Sequence, residues 1–275
     1  MNMPGKFLSN KFGMTGLGIL LLLCVFSLIG PLFSKRGRDE IDIAHNQSPP
    51  GNGYILGADE LGRDVFTRLA HGGRVSISVG LIAMTIQLVI GVSLGTAAGF
   101  FGGIWDSVIM RLTDIIMCFP FYVIALSVAA LTGPSFRNVI LIIGLLGWPQ
   151  MARIARSNTL SLKNTEFIEA ARALGLSRAE IIFKHILPNS AGPIIIYGTI
   201  TVANAVLIES SLSFLGLGIA PPQPSWGTML TQAQNLNVLQ RCWWMWMPAG
   251  LLILLSVLAV NFIGEGLSEI LDSKK

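Results

Sequence analysis

Charge is scarce in this 275-residue chain: 12% of its residues are Asp, Glu, Lys or Arg, against 52% hydrophobic. A soluble domain carries about 25% charged residues, so this composition excludes an ordinary soluble enzyme and points to a protein solvated by lipid. The formal net charge is only +4, and its cations are scattered, which leaves no electrostatic footprint for nucleic acid. Cysteine is sparse as well. Cys24, Cys118 and Cys242 are odd in number and show no CxxC spacing, so they read as structural thiols without a disulfide or metal framework. His45, His71 and His185 lie far apart with neither HExxH nor HxH spacing, which leaves no metal site and no metal cofactor in the chain itself. A GxxxxGK[ST] phosphate loop is also missing, so the chain does not hydrolyse ATP by that route. No Ser/His or His/Glu constellation lies on the apolar segments, and a membrane-embedded enzyme has no machinery here.

Long apolar runs are what the chain does have. A transmembrane helix needs roughly 20 mostly apolar residues, and six segments meet or approach that length: Gly13–Phe33, Val75–Phe101, Val108–Leu131, Val139–Ala152, Pro193–Gly218 and Trp243–Leu267. The first is too long for a signal-peptide core and no small-x-small site follows it, so it reads as an uncleaved span. The fourth is short, holds Pro149, and is expected to run on as a helix over Arg153–Leu162. With the N-terminus inside, eleven Lys and Arg residues fall on the cytoplasmic side and eight outside, an excess in the direction the positive-inside rule requires. The expected organisation is therefore an all-α integral membrane protein with six transmembrane helices: residues 1–74 as a first helix plus an external loop, 75–268 as a five-helix core with a cytoplasmic loop at 153–192, and 269–275 as a cytoplasmic tail. Gly91, Gly95 and Gly99 form a ridge at four-residue steps that lets another helix approach closely, more simply within the subunit than between subunits.

The loop at 153–192 is patterned. Thr165 to Leu174 reads as a short helix with Asn164 as its N-cap and Glu166 in the first turn. Phe167, Ile168, Ala171 and Leu174 share one face. Gly175 supplies a left-handed residue to end it. Ser177 and Glu180 have capping-box spacing for a second helix, with Leu176, Ala179, Ile182, Phe183 and Ile186 on one side and Pro188 as its stop. Ala170, Ala171 and Ala173 give a slim profile suited to a groove, with Glu169 and Arg172 placed to pair at its rim. By periodicity alone, a docking hairpin and an amphipathic helix lying on lipid are equal readings.

Polar groups inside spans mark pathways. Arg111 and Asp114 stand at i,i+3 on the third span and are able to pair. Glu209, close to Asn204 on the fifth, has no neutralising neighbour on its own helix; it is expected to face a water-filled cavity or a partner helix, or to pair with Arg111. Gln87 and Asn261 complete the set. Outside the spans, Asp59, Glu60, Arg63, Asp64 and Arg68 alternate in sign over an expected surface helix, with Asp64 and Arg68 as an i,i+4 pair. That helix is either a plain solvated face or an external cap at the mouth of a pore. Pro221, Pro222 and Pro224 force a turn. Trp226 and the Trp243–Trp246 cluster suit an interfacial belt.

The order Glu169-Ala170-Ala171, then Gly175, then Leu187-Pro188 resembles the signature loop of permease subunits of ABC importers. Leu56-Gly57-Ala58-Asp59-Glu60-Leu61-Gly62-Arg63-Asp64-Val65-Phe66-Thr67-Arg68 resembles the external-loop signature of the dipeptide/oligopeptide/nickel branch, and specifically its second (C-type) permease. Ser211–Gly218 and Pro221–Gly227 are similar to that branch too, and His185 departs from the apolar residue common in the wider superfamily. The resemblance spans nearly the whole chain. It implies a type I importer permease fold in the bacterial cytoplasmic membrane, with both termini cytoplasmic. It implies that Phe167, Glu169, Ala170, Ala171, Leu174 and Gly175 dock an ATPase and that Asp59, Gly62, Arg63 and Asp64 form the external signature; the pathway candidates Asn204, Glu209, Arg111 and Asp114 rest on their polarity within the spans alone. The implied partners are two ATPase subunits using ATP and Mg, a second permease, a solute-binding protein and the bilayer. The implied cargo is a short peptide or chelated nickel. A secondary transporter or channel is the alternative. It predicts an inverted repeat, which the sequence does not show, and it leaves the hairpin without a purpose.

Overall fold

The computed structural model describes residues 9–51 and 53–272. Lys6, Lys274 and Lys275, and with them the end of the expected tail, lie outside the described residues. In lipid a backbone satisfies its own N–H and C=O groups only within helices or closed barrels, and here the apolar runs all become helices: α1 (Lys11–Ile29), α2 (Val65–Phe101), α3 (Gly103–Met117), α4 (Phe121–Thr132), α5 (Phe136–Leu162), the short α6 (Glu166–Ala173), α7 (Arg178–Phe214), the short α8 (Trp226–Leu230) and α9 (Leu236–Arg241), and α10 (Met247–Asp272). Five of these are long and apolar enough to cross a membrane, and α3 with α4 makes a sixth span bent by 80°. No strand occurs among the described residues beyond two isolated bridges in the 51–64 loop.

Four element boundaries differ from the sequence expectation, each for a local reason. The third span, expected to be continuous over Val108–Leu131, breaks at Cys118–Pro120. Pro120 has no N–H to donate, and its ring pushes the preceding residue out of the helical region. The second span starts at Val65, ten residues early, because the Asp64 carboxylate caps it by accepting from the backbone N–H of Phe66 and Thr67; the expected domain boundary at residue 74 therefore falls inside one helix. The last span starts at Met247, since Trp243–Met245 forms a 3-10 turn. Pro188, expected to stop a helix, sits inside α7, where Ile181–Ile186 forms a π turn and the Leu187 N–H reaches back to Ile182 O. The wider turn loosens the ladder where proline, lacking an N–H, would have interrupted it.

The three ridge glycines pack within the chain, against α5. A Cβ on Gly95 would meet the backbone of Ala152, one on Gly91 would meet Met151, and one on Gly99 would meet Arg156 O and Thr159. The α2–α5 contact is the most extensive in the molecule. α1 and α10 pack together along the other side of the bundle, and α7 runs between α10 and α2.

At the end opposite α6, residues 34–64 and 215–246 form a cap. Trp226 is not in an interfacial belt as expected. It opens α8 and is fully buried against α2, its indole N–H donating to Leu69 O at 3.0 Å. Trp244 is also buried and donates to Ala58 O at 3.3 Å, whereas Trp243 is half-exposed. The first bond ties the cap to α2 and the second joins the two cap segments, each ring using an apolar body and a polar tip at once.

Candidate functional site

The hairpin takes shape from local chemistry. Gly175 has φ +79°, a conformation that costs an L residue with a Cβ roughly 1–2 kcal/mol. Its N–H donates to Arg172 O, and the Leu176 N–H to Ala171 O, closing α6. Ser177 and Glu180 form the reciprocal capping box, which opens α7. The residue at the N-cap of α6 is Thr165 rather than Asn164; its hydroxyl donates to Leu162 O and makes no capping bond.

The apolar residues of the hairpin divide into two sets. Ile168 and Ala171 pack inward on Ile181 and Ile186, with Phe100 and Leu176 at the edge. Phe167, expected on that same face, is 44% exposed, and Leu174 is 80% exposed. Phe183, expected inside, is 69% exposed, while Ile181 takes the inner position. The π turn explains the exchange: buried contacts recur at Ile181 and Ile186, five apart, rather than at three and four. Glu169, Ala170, Arg172 and Gly175 are exposed on the outer side.

The candidate pathway residues scatter. A cavity of about 320 Å³ opens at the bend between α3 and α4, bounded by α5 and α7. Asn204 lines it together with Gln87, Gln150, Tyr197 and Thr201, and Phe119 stands at the bend. Gln87 is buried, and its amide donates to Ile143 O at 3.0 Å. Tyr197, Thr201 and Gln150 escaped the sequence reading, although Tyr197, Thr201, Asn204 and Ile208 recur at four, three and four residues, a stripe readable in an otherwise apolar helix.

Glu209, Arg111 and Asp114 do not line this cavity. Arg111 and Asp114 do not pair with each other. Asp114 instead accepts from Arg153 of α5 at 2.6 Å, and Asp106 accepts from Arg156 at 2.6 Å, so α3 is strapped to α5 by two ion pairs. Glu209 is fully buried and meets neither Arg111 nor another cation. It accepts three hydroxyl donors: Ser213 at 2.8 Å, Ser225 at 2.7 Å and Ser76 at 3.0 Å. Ser76 Oγ also accepts from Trp226 N–H, and Ser225 Oγ from Thr228 N–H. Each of those two hydroxyls thus bridges Glu209 to a backbone N–H. One side chain on α7 thus pins α2 and the start of α8.

In the cap, residues 59–64 form a turn rather than a helix. Asp59 is buried and accepts from Leu61 N–H, Arg63 N–H and Arg63 Nε, the last at 2.8 Å. Arg68 pairs with Asp39 at 3.1 Å and approaches Asp59 at 3.6 Å, not Asp64. Asp64 is buried and also accepts from Ser34 and Thr67 hydroxyls. Gly62 has φ +72° and lies against Asp42 backbone, where no side chain fits. Asp42 accepts from Arg36, His45 and Tyr54, with the Arg36 guanidinium 3.9 Å over the Tyr54 ring. Desolvation opposes ionisation of Asp42 and of Asp39, yet hydrogen bonds from His45, Arg36 and Tyr54 to the first, and the Arg38, Arg68 and Arg63 charges around the second, hold both carboxyls below their ordinary values. Among the described residues no cluster of three metal-ligating side chains occurs.

Comparison with known proteins places this geometry. Residues 91–275 match the family of binding-protein-dependent transport system inner membrane components, and residues 5–50 match the N-terminal transmembrane domain of oligopeptide transport permease C. The dipeptide transport system permease protein DppC of Bacillus subtilis is 40% identical over 265 residues, covering 96% of this chain and 82% of that protein. The corresponding DppC of Alkalihalophilus pseudofirmus is 38% identical over 265 residues, covering 96% and 86%. A chain of the MetNI methionine ABC transporter superposes with a TM-score of 0.61 at 18% identity, covering 74% of this chain and 96% of that one, a likeness of fold. A multi-pass helical bundle with a turned-back hairpin at one end, and similarity of this extent along nearly its whole length, identify the chain as a member of the binding-protein-dependent transport system inner membrane components, the permease family of ABC importers.

Proposed function

We propose that this chain is the C-type permease subunit of an ATP-driven importer of short peptides in the bacterial cytoplasmic membrane. The hairpin and both termini face the cytoplasm, and the cap faces outward. The observation that carries this reading is the outer face of the hairpin. Phe167, Leu174 and Phe183 stand exposed beside Glu169 and Arg172, while the hairpin's own core is already complete without them. An apolar patch beyond the spans is a surface awaiting a partner, and the partner proposed is one of two ATPase subunits. They supply ATP and Mg, which this chain has no loop to hold. A second permease would complete the pore, since the cavity walled by α3, α4, α5 and α7 is open on one side, and a solute-binding protein would deliver cargo to the cap. Peptide is favoured over chelated nickel by the names of the relatives.

The mechanical step is a two-state motion. ATP draws the ATPase pair together, the hairpins move with it, and α7 carries the displacement to the cavity wall at Asn204 and to the Glu209 cluster. The test is purification of the tagged chain from its native membrane in mild detergent, followed by ATP hydrolysis and peptide uptake in vesicles. Glu169→Trp should leave insertion intact while releasing the ATPase or separating hydrolysis from uptake. Normal coupling in that variant, or recovery of the chain without an ATPase, would reject the docking assignment.

A further inference from the structure

A second cavity, of about 340 Å³, lies in the cap, apart from the one between α3 and α7. Its size falls in the range of small-ligand sites, which are apolar clefts with a few convergent polar groups. Its walls are Met245 and other apolar side chains, with Asp59, Arg63 and Arg68 as the charged members and Gln223 and Gln232 among the neutral polar ones. Two guanidinium groups face one carboxylate, so the lining is net positive.

The two arginines are not equivalent. Arg68 is committed: it pairs with Asp39 and Asp59 and donates to Arg38 O and to Pro222 O. Arg63 uses only its Nε and backbone N–H, both on Asp59. Its side chain is 15% exposed, yet the terminal nitrogens of its guanidinium meet no acceptor among the described residues. Those nitrogens stay accessible, and a planar guanidinium fork fixed at one nitrogen has the geometry to receive a carboxylate with two parallel hydrogen bonds. Gln223 and Gln232 add amide groups on the same wall.

We propose that this cap cavity is a staging site for a short peptide, in which Arg63 receives the terminal carboxylate. The proposal rests on the peptide-importer reading and deepens it: cargo released at the cap is held here before it reaches the inner cavity. The two spaces are separated by one turn of α7, with Ile208 lining the inner cavity, Ser213 lining the cap cavity, and the buried Leu212 and Glu209 between. A peptide that enters is thus held directly above the region that must open for it to descend.

The experiment uses the purified whole complex. Binding of trialanine and of trialanine amide is measured by equilibrium dialysis without the binding protein, for wild type, Arg63→Gln and Arg63→Lys. The expected result is that wild type prefers the free acid by about tenfold or more, that Arg63→Gln abolishes this preference, and that Arg63→Lys retains part of it. Equal binding of acid and amide by wild type overturns the proposal even if neither variant folds. A second arm measures association of the binding protein. If Arg63→Gln loses that association while its acid-over-amide preference is unchanged, the carboxylate received by Arg63 is the binding protein's and the proposal is wrong. A third arm, ATP-driven uptake by wild type, tests the parent reading separately: absence of uptake of any peptide rejects the importer assignment, while acid-selective binding at Arg63 is still read from the first arm.

Discussion

The backbone approach of α2 to α5 gives a graded prediction. At Gly95 an added Cβ would collide with Ala152 O and come within 2.9 Å of Ala152 C and Cα, all backbone atoms that cannot swing aside. At Gly99 the neighbours are Thr159 Cβ at 2.8 Å and Arg156 O at 2.9 Å; at Gly91 they are Met151 Cβ at 2.6 Å and Cγ at 2.8 Å and Trp148 O at 2.9 Å, so each of these two meets one backbone oxygen and one side chain. At Gly18 nothing lies within 4 Å. Alanine in place of glycine in a helix gains about 1 kcal/mol of propensity at every one of these positions. Overpacking costs about 1–3 kcal/mol when neighbours yield, and the upper end or beyond is expected where the neighbour is backbone and two helices must part. The net expectation is a loss of about 2 kcal/mol for Gly95→Ala, less for Gly91→Ala and Gly99→Ala, and a gain of up to about 1 kcal/mol for Gly18→Ala. The assay is thermal unfolding of the purified chain in one detergent, where a 2 kcal/mol loss lowers the midpoint by about 4–8 °C. Gly95→Ala melting with Gly18→Ala, or above wild type, would refute the claim that α2 and α5 meet backbone to backbone.

Three further outcomes are expected. Gly175→Val places a β-branched residue at φ +79°, which should cost about 1–2 kcal/mol locally and lower peptide uptake while the amount in the membrane is unchanged; full uptake would mean the hairpin turn is dispensable. Glu209→Leu removes the acceptor of three hydroxyls. Ser76 and Ser213 have carbonyls one turn back to accept from them, so the cost is about 1–3 kcal/mol for the remainder, read as faster amide exchange over residues 225–230, and unchanged exchange would remove Glu209 from its clamping role. Asp39 and Asp42 are both held below their ordinary values, so the folded cap binds fewer protons than the unfolded one. Their contribution is therefore complete above the unfolded carboxylate range of about pH 4 and is lost as pH falls through the lower folded values. Protease cleavage within residues 36–63 should increase below about pH 4, and a rate independent of pH from 6 to 3 would contradict the network.

How much of this was legible in the sequence depends on the range of the interaction. The spans, the left-handed Gly175 and the Ser177–Glu180 capping box rest on neighbours within a few residues, and each appears where its pattern stands. Pro188 and Pro120 show the limit of that local logic. One proline is absorbed by a π turn and the other bends a span by 80°, and nothing in the flanking composition distinguishes them. The same π turn moved Ile181 inside and Phe183 outside, because a face counted at three and four residues is wrong where the chain steps by five. Long-range polar partners were invisible. Glu209 was recognised as an uncompensated charge, but its partners Ser76 and Ser225 are 133 and 16 residues away. The charges of the cap read as an alternating helix because their partner Asp39 comes from another part of the loop.

The unbroken course of α7 sets a limit on how the two ends of the molecule are able to differ in state. Its 37 residues extend about 55 Å at 1.5 Å each, from the capping box at one end to the serine-bound carboxylate near the other. A rod of that length behaves as a lever. A tilt of a few degrees at the hairpin is a sideways travel of several ångströms at its far end, more than a 2.7 Å hydrogen bond between Ser225 and Glu209 survives. The closed clamp and a displaced hairpin are then mutually exclusive, unless the π turn at Ile181–Ile186 flexes as the joint. Stiffening that joint would make the far end follow the near one more closely, and loosening it would let the hairpin move without moving the cap.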